Sequence, residues 1–85
     1  MNTIQWTDKA ARQLRKIADK TIRQHIYQEA QTLADFPQCA NIKKLTNSRY
    51  PYRLRVGNWR VLFTFDGEIR IVTIKEVKTR NERTY

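Results

Sequence analysis

Tyr52-Arg53-Leu54-Arg55-Val56-Gly57-Asn58-Trp59-Arg60-Val61-Leu62-Phe63 decides the fold, because it is two alternating runs separated by Gly-Asn, a pair suited to a two-residue turn. With a loop of that length Val56 faces Trp59 across the ladder. Arg55 then faces Arg60 directly, and Arg53 lies on the same side two residues back. Alternation with a period of two gives the hairpin two unlike faces. Tyr52, Leu54, Val56, Trp59, Val61 and Phe63 make one that is almost wholly apolar, as expected for the core side of a half-buried antiparallel sheet. Arg53, Arg55 and Arg60 occupy the other. Like charges directly opposite on a ladder destabilise it, by up to roughly 1 kcal/mol for a pair. Two explanations fit such a placement: a solvated basic face with its charges splayed into water, or a site for something anionic.

A chain of 85 residues can bury one modest core, and no linker is visible, so residues 1–85 are expected to form a single domain. Lys and Arg total 17 against 8 acidic residues, a formal net charge of +9, which favours an anionic partner such as nucleic acid, an acidic protein or an anionic membrane surface. Hydrophobic residues at 40% are enough for a globular core and argue against wholesale disorder. No apolar run approaches a membrane span, and Met1-Asn2-Thr3-Ile4-Gln5-Trp6 lacks the basic start and apolar stretch of a signal peptide, so a cytosolic location and no membrane partner are expected. The lone Cys39 has no internal disulfide partner, which fits a reducing compartment.

Outward from the hairpin, Thr3 to Trp6 alternates and predicts a short strand with Ile4 and Trp6 inward. Thr7 or Asp8 then caps a helix whose apolar stripe is Ala10, Leu14 and Ile17. A second helix is predicted from Thr21 to about Asp35, with Ile22, Ile26, Ala30 and Leu33 at helical spacing and Phe36-Pro37 closing it. Residues 38–51 read as loop with a brief extended piece at Ile42-Lys43-Lys44-Leu45. After Phe63-Thr64-Phe65, Asp66-Gly67 reads as a second two-residue turn leading into a long strand, Glu68 to Val77. That turn would pair Arg60 with Thr73 and Leu62 with Ile71, and put Ile69, Ile71, Thr73 and Lys75 on the arginine side. The predicted architecture is α+β: two N-terminal helices packed on one face of a three- to four-stranded antiparallel sheet, the basic face left open. The tail Lys78-Thr79-Arg80-Asn81-Glu82-Arg83-Thr84-Tyr85 has no apolar period.

One His and one Cys provide no ligand set for a metal, and no Gly-rich phosphate loop is present. His25, beside the stripe of the second helix, reads as a packed or surface imidazole. What remains is a guanidinium cluster with a tyrosine. Arginine presents planar paired donors that match phosphate oxygens, and it stacks on unpaired bases as tyrosine does, which suits single-stranded RNA. Binding alone needs no more. Metal-free cleavage needs a group to take the 2′-OH proton, charge to neutralise the phosphoryl oxygens and a donor for the leaving oxygen. Arg55 and Arg60 fit the middle task, Tyr85 is a candidate acid or base, and Lys75 or Lys78 can supply a proton.

The order strand, two helices, Y-R-L-R-V-G-x-x-R-V-L-F from Tyr52 to Phe63, and a basic tail ending in Tyr85 resembles the RelE/ParE superfamily of bacterial type II toxin-antitoxin toxins, and more its RelE branch. The resemblance spans essentially the whole chain. The hairpin pattern is fairly specific for the superfamily, and the tail separates its branches. The resemblance implies a microbial-RNase-like fold and a small toxin that enters the ribosomal A site and cuts mRNA by 2′-OH attack, without metal or other cofactor. The family's catalytic basic pair falls on Arg53 and Arg55, its transition-state arginine on Arg60 and its C-terminal tyrosine on Tyr85. Its penultimate arginine corresponds to Arg80, Lys78 or Arg83 depending on the gap, with Arg80 favoured. Lys43, Lys44, Lys75, Lys78 and Arg83 are the basic residues left to hold RNA or ribosome. Family members often carry lysine at Arg53 and Arg55. Arginine stays protonated, so this departure moves proton transfer toward Tyr85 or a tail cation. A cognate antitoxin, acidic where it meets the basic face, is implied, with the toxin alone a monomer and the complex a hetero-oligomer. The alternatives are a ParE-like DNA gyrase inhibitor without nuclease activity and a non-catalytic basic nucleic-acid-binding domain.

Overall fold

A computed structural model describes residues 1–79. The chain runs β1 (Thr3–Trp6), α1 (Asp8–Arg15), α2 (Lys20–Gln31), a 3-10 turn (Thr32–Asp35), β2 (Ile42–Lys44), β3 (Tyr52–Val56), β4 (Trp59–Asp66) and β5 (Ile71–Thr79). Thr7 caps α1, its Oγ1 accepting the Ala10 N–H at 3.1 Å, a contact of the kind worth about 1 kcal/mol. Asp19 caps α2 by accepting from the Thr21 and Ile22 N–H groups at 2.9 and 3.1 Å, so that helix begins before the predicted Thr21. It also ends earlier as an α-helix, its last turn tightening to 3-10 geometry before Phe36-Pro37.

The sheet has five strands in the order β1-β5-β4-β3-β2, and β1 lies parallel to β5 while the other pairs are antiparallel. The α+β layering with both helices on one face is as expected. The strand count and the purely antiparallel pairing are corrected, because β1 and β2 are short edge strands and β1 pairs with the far end of the chain. Ala10, Ile26, Ala30 and Leu33 from the helices pack on Leu54, Val61, Phe63, Val72 and Ile74 from the sheet, all at most 1% exposed. Phe36 joins them edge-on, its ring centroid 5.0 Å from Tyr52, 5.3 Å from Phe63 and 5.0 Å from Phe65. Ile22, which the stripe placed inward, is 38% exposed. Among the described residues no helix is long and apolar enough to cross a membrane.

The hairpin takes the predicted register: Val56 opposite Trp59, Arg55 opposite Arg60 and Leu54 opposite Val61. Gly57 carries φ +58°, as the first central residue of a tight hairpin turn requires. A methyl group there would meet nothing within 4 Å, so a substitution acts through backbone strain alone. Gly57→Ala is expected to cost about 1 kcal/mol, read as a fall in melting temperature of about 4–8 °C.

The second turn is not the predicted two-residue loop. Asp66 is the last residue of β4, and its Oδ1 accepts from the Glu68 and Ile69 N–H groups at 3.0 and 3.3 Å, folding Gly67 to Arg70 into a four-residue connection. Arg70 takes the left-handed conformation at φ 56°, a position more often held by Gly or Asn. Ile71 therefore pairs with Asp66, Thr73 with Thr64 and Ile74 with Phe63. A bulge then leaves Lys75 without a partner, and the ladder resumes with Leu62 opposite Glu76 and Arg60 opposite Lys78. This corrects the predicted Arg60–Thr73 and Leu62–Ile71 pairs. One extra residue reverses the alternation, so beyond it Glu76 and Lys78 stand on the arginine side and Val77 turns inward.

Candidate functional site

Cross-strand partners in an antiparallel ladder share a face, so the register lays out the site. One row reads Arg55, Arg60, Lys78 across β3, β4 and β5. The next reads Lys43, Arg53, Leu62, Glu76 across β2 to β5. Adjacent strands are about 4.8 Å apart, so five cations lie on one side of the sheet, each within reach of its neighbour on the next strand. Lys44 pairs with Tyr52 and so belongs by alternation to the helix-covered side, at its exposed edge. Lys75 is half-buried in the bulge. Arg80, Arg83 and Tyr85 lie outside the described residues.

Between the arginines is a small depression of about 70 Å³ lined by Arg53, Arg55, Arg60, Gly57, Asn58 and Trp59. Arg53 is half-buried, and its Nε is shut off from solvent and makes no hydrogen bond. Burial lowers the Arg53 guanidinium from its ordinary value, and the charges of Arg60 and then Arg55 push the same way. The group remains a cation in any accessible pH range. Arg55 is exposed and its Nε reaches back to the Gly57 carbonyl at 3.5 Å.

The residue that sequence reasoning missed is Glu76. It is 3% exposed, and its carboxylate is held by two lysines, Lys9 of α1 at 2.5 Å on Oε1 and Lys78 at 3.0 Å on Oε2. β1 ends opposite Ile74, leaving the outer edge of β5 open beyond it, and α1 fills the gap. There Gln13 Oε1 accepts the Val77 N–H at 2.7 Å. A signal was available: inward residues at 72 and 74 followed by 77 break the period of two where the bulge lies. Burial alone raises the Glu76 carboxyl, but hydrogen bonds and charge from Lys9 and Lys78 outweigh it and the net direction is downward from 4.5. A folded-state value below the unfolded one gives stability that is present above the unfolded value and is lost as pH falls through the folded one. Acidification from neutrality to below 4.5 is therefore expected to lower the urea midpoint more steeply in the wild type than in Glu76→Gln.

Elsewhere the side chains are ordinary. His25 is an exposed residue of α2. Burial and then Asp35 push the Cys39 thiol up, away from the thiolate that nucleophilic chemistry needs.

The model of the ParE toxin family of type II toxin-antitoxin systems matches residues 4–83. The chain belongs to that family. Solved toxin structures agree in fold. The toxin-antitoxin complex RelBE2 from Mycobacterium tuberculosis contains a chain 27% identical, with a TM-score of 0.78 over 93% of this chain and 98% of that one. The intact Escherichia coli RelBE toxin-antitoxin complex gives 0.77 at 20% identity, covering 98% of this chain and 100% of that one. The isolated E. coli RelE toxin gives 0.77 at 17% identity, covering 99% and 88%. A comparison with curated proteins gave no match. The expected RelE/ParE superfamily and its α+β fold therefore hold for this ParE-family toxin.

Proposed function

We propose that this ParE-family toxin is a ribosome-dependent mRNA endonuclease that stops translation by metal-independent 2′-OH attack on the scissile phosphate. The observation that supports it best is the concave row in which Arg55 directly opposes Arg60 with Arg53 beside them, since three guanidinium groups forced together are stabilised by a phosphodiester and disfavoured without one. Arg53, Arg55 and Arg60 neutralise charge developing on the phosphoryl oxygens. Tyr85 is assigned the 2′-OH proton, and Arg80 a further phosphate contact. Lys43, at the β2 edge of the face, extends the path for the RNA backbone, and Lys75 and Arg83 add charge to the surface that meets RNA or ribosome, while Lys44, on the helix-covered side, is left out of that path. No cofactor is required. The protein works in the cytoplasm, as a monomer when free.

The M. tuberculosis and E. coli structures it resembles are toxin-antitoxin complexes, which supports a cognate antitoxin here too, acidic where it covers the arginine face. The match to the ParE model favours a second reading, inhibition of DNA gyrase without RNA cleavage. One pair of assays separates them. The purified toxin is added to a translation reaction, where cuts at defined codon positions are expected, and to a gyrase supercoiling reaction, where no inhibition is expected. Intact mRNA together with blocked supercoiling would replace the first reading by the second. Tyr85→Phe is expected to slow cutting by about 100-fold, in the range for loss of a proton-transfer group.

A further inference from the structure

We infer that Lys78 is the proton donor to the leaving 5′-oxygen, and that Glu76 is the positioning residue that holds it at the end of the arginine row. The inference rests on the endonuclease reading and deepens it. Arginines cannot serve as the donor, because a guanidinium does not release its proton. Among the described residues Lys78 is the one lysine in line with Arg55 and Arg60, directly opposite Arg60 on the ladder. It stands there because of the bulge, which turns Lys78 to the arginine side of β5.

The ion triad suits a donor that must give up a proton and regain it. A buried carboxylate stripped of its partner is costly. Glu76 does not face that loss, since Lys9 occupies Oε1 while Lys78 occupies Oε2. When the Lys78 ammonium becomes an amine, or swings on its four-carbon stem toward an oxygen above the row, Lys9 still neutralises the carboxylate. The Lys9 end is half-exposed and the Lys78 end nearly buried, at 51% and 8% of the side chain, so the anchor is fed from outside the site and the donor is kept within it.

The step balances as follows. The 2′-oxygen bonds to phosphorus as its proton passes to the general base. The bond from phosphorus to the 5′-oxygen breaks, its electron pair stays on that oxygen, and the oxygen takes a proton from Lys78. The products are a 2′,3′-cyclic phosphate and a free 5′-OH, and one proton moving through water from that base to Lys78 resets both.

A sulfur leaving group tests this, since a thiolate departs without protonation. The cut site is mapped on an unmodified message, and the same message is made with a single 5′-bridging sulfur at that bond and translated with each variant. Lys78→Met is expected to cut the oxygen substrate about 100-fold more slowly than wild type and the sulfur substrate within about threefold of it. Glu76→Gln is expected to show the same pattern more weakly, and the double variant to be no slower than Lys78→Met alone. Each comparison is a ratio within one preparation, so a reduced folded fraction cancels. An equal loss on both substrates in Lys78→Met overturns the inference and leaves the endonuclease reading standing. A wild type that cuts neither substrate overturns both.

Discussion

Phe63→Ala is expected to lower the free energy of unfolding by about 3–5 kcal/mol, which for a domain with the usual total of about 5–15 kcal/mol is a large share. Phe63 is fully buried at the middle of β4, the strand with β3 on one side and β5 on the other. Its ring lies 5.3 Å from Phe36, at right angles to it, and 5.4 Å from Tyr52. Truncation therefore removes the ring on which the connection after α2 and the first hairpin strand both lean. Collapse into the space is opposed because Phe36 also packs against Tyr52 and Phe65, and moving it toward the hole would open those contacts. Urea unfolding followed by circular dichroism gives the value directly. A loss below about 1 kcal/mol would mean that the aromatic group is not the keystone of the core. The hairpin arginines should stay paired in register in any fraction that remains folded, since their register is set by Gly57 and the strand alternation.

The parts of this fold that were legible are those whose information is local. The Arg55–Arg60 opposition follows from a two-residue turn and a period of two, and Gly57 with φ +58° is the residue that such a turn selects. The helix cap at Thr7 and the inward set Ala10, Ile26, Ala30 and Leu33 are equally local, whereas the Asp19 cap, no less local, was passed over for a start at Thr21. What failed needed information from elsewhere in the chain. The pairing of Thr3 to Trp6 with Ile71 to Ile74 joins the two ends of the described chain, and no short-range pattern announces a parallel partner. The second turn was misread because Asp66-Gly67 is a hairpin signal in its own right, while here Asp66 accepts from the two N–H groups that follow and Arg70 takes the left-handed turn. That error carried into the register and hid the bulge. In the site, the arginines were visible as a charge pattern. Glu76 was not, because a glutamate flanked by two lysines reads as solvated surface until Lys9, distant in sequence, is brought to its other oxygen.

Arg60→Ala is expected to slow cutting of translated mRNA by about 100- to 1000-fold, the range for removing one preorganised donor from a developing oxyanion. Arg60 is the middle of its row, opposite Arg55 on one side and Lys78 on the other, so the site loses the charge closest to everything else. Stability should move little. Relief of like-charge opposition, worth up to about 1 kcal/mol, offsets the contacts that a half-buried side chain gives up. The separation of the two readouts is what marks a functional arginine: a charge placed only for solubility would change neither, and one needed for packing would change stability first. Lys43→Ala supplies the contrast, since Lys43 is exposed on the edge strand β2 and on the endonuclease reading is assigned to the backbone path rather than to the reacting phosphate. It should weaken RNA binding at low salt and lose that effect as ionic strength rises, with the rate at saturating message nearly unchanged. Arg60→Ala should instead lower the rate at saturation, where added message cannot restore it. Undiminished cutting by Arg60→Ala would remove the guanidinium row from the chemistry and leave it a binding surface.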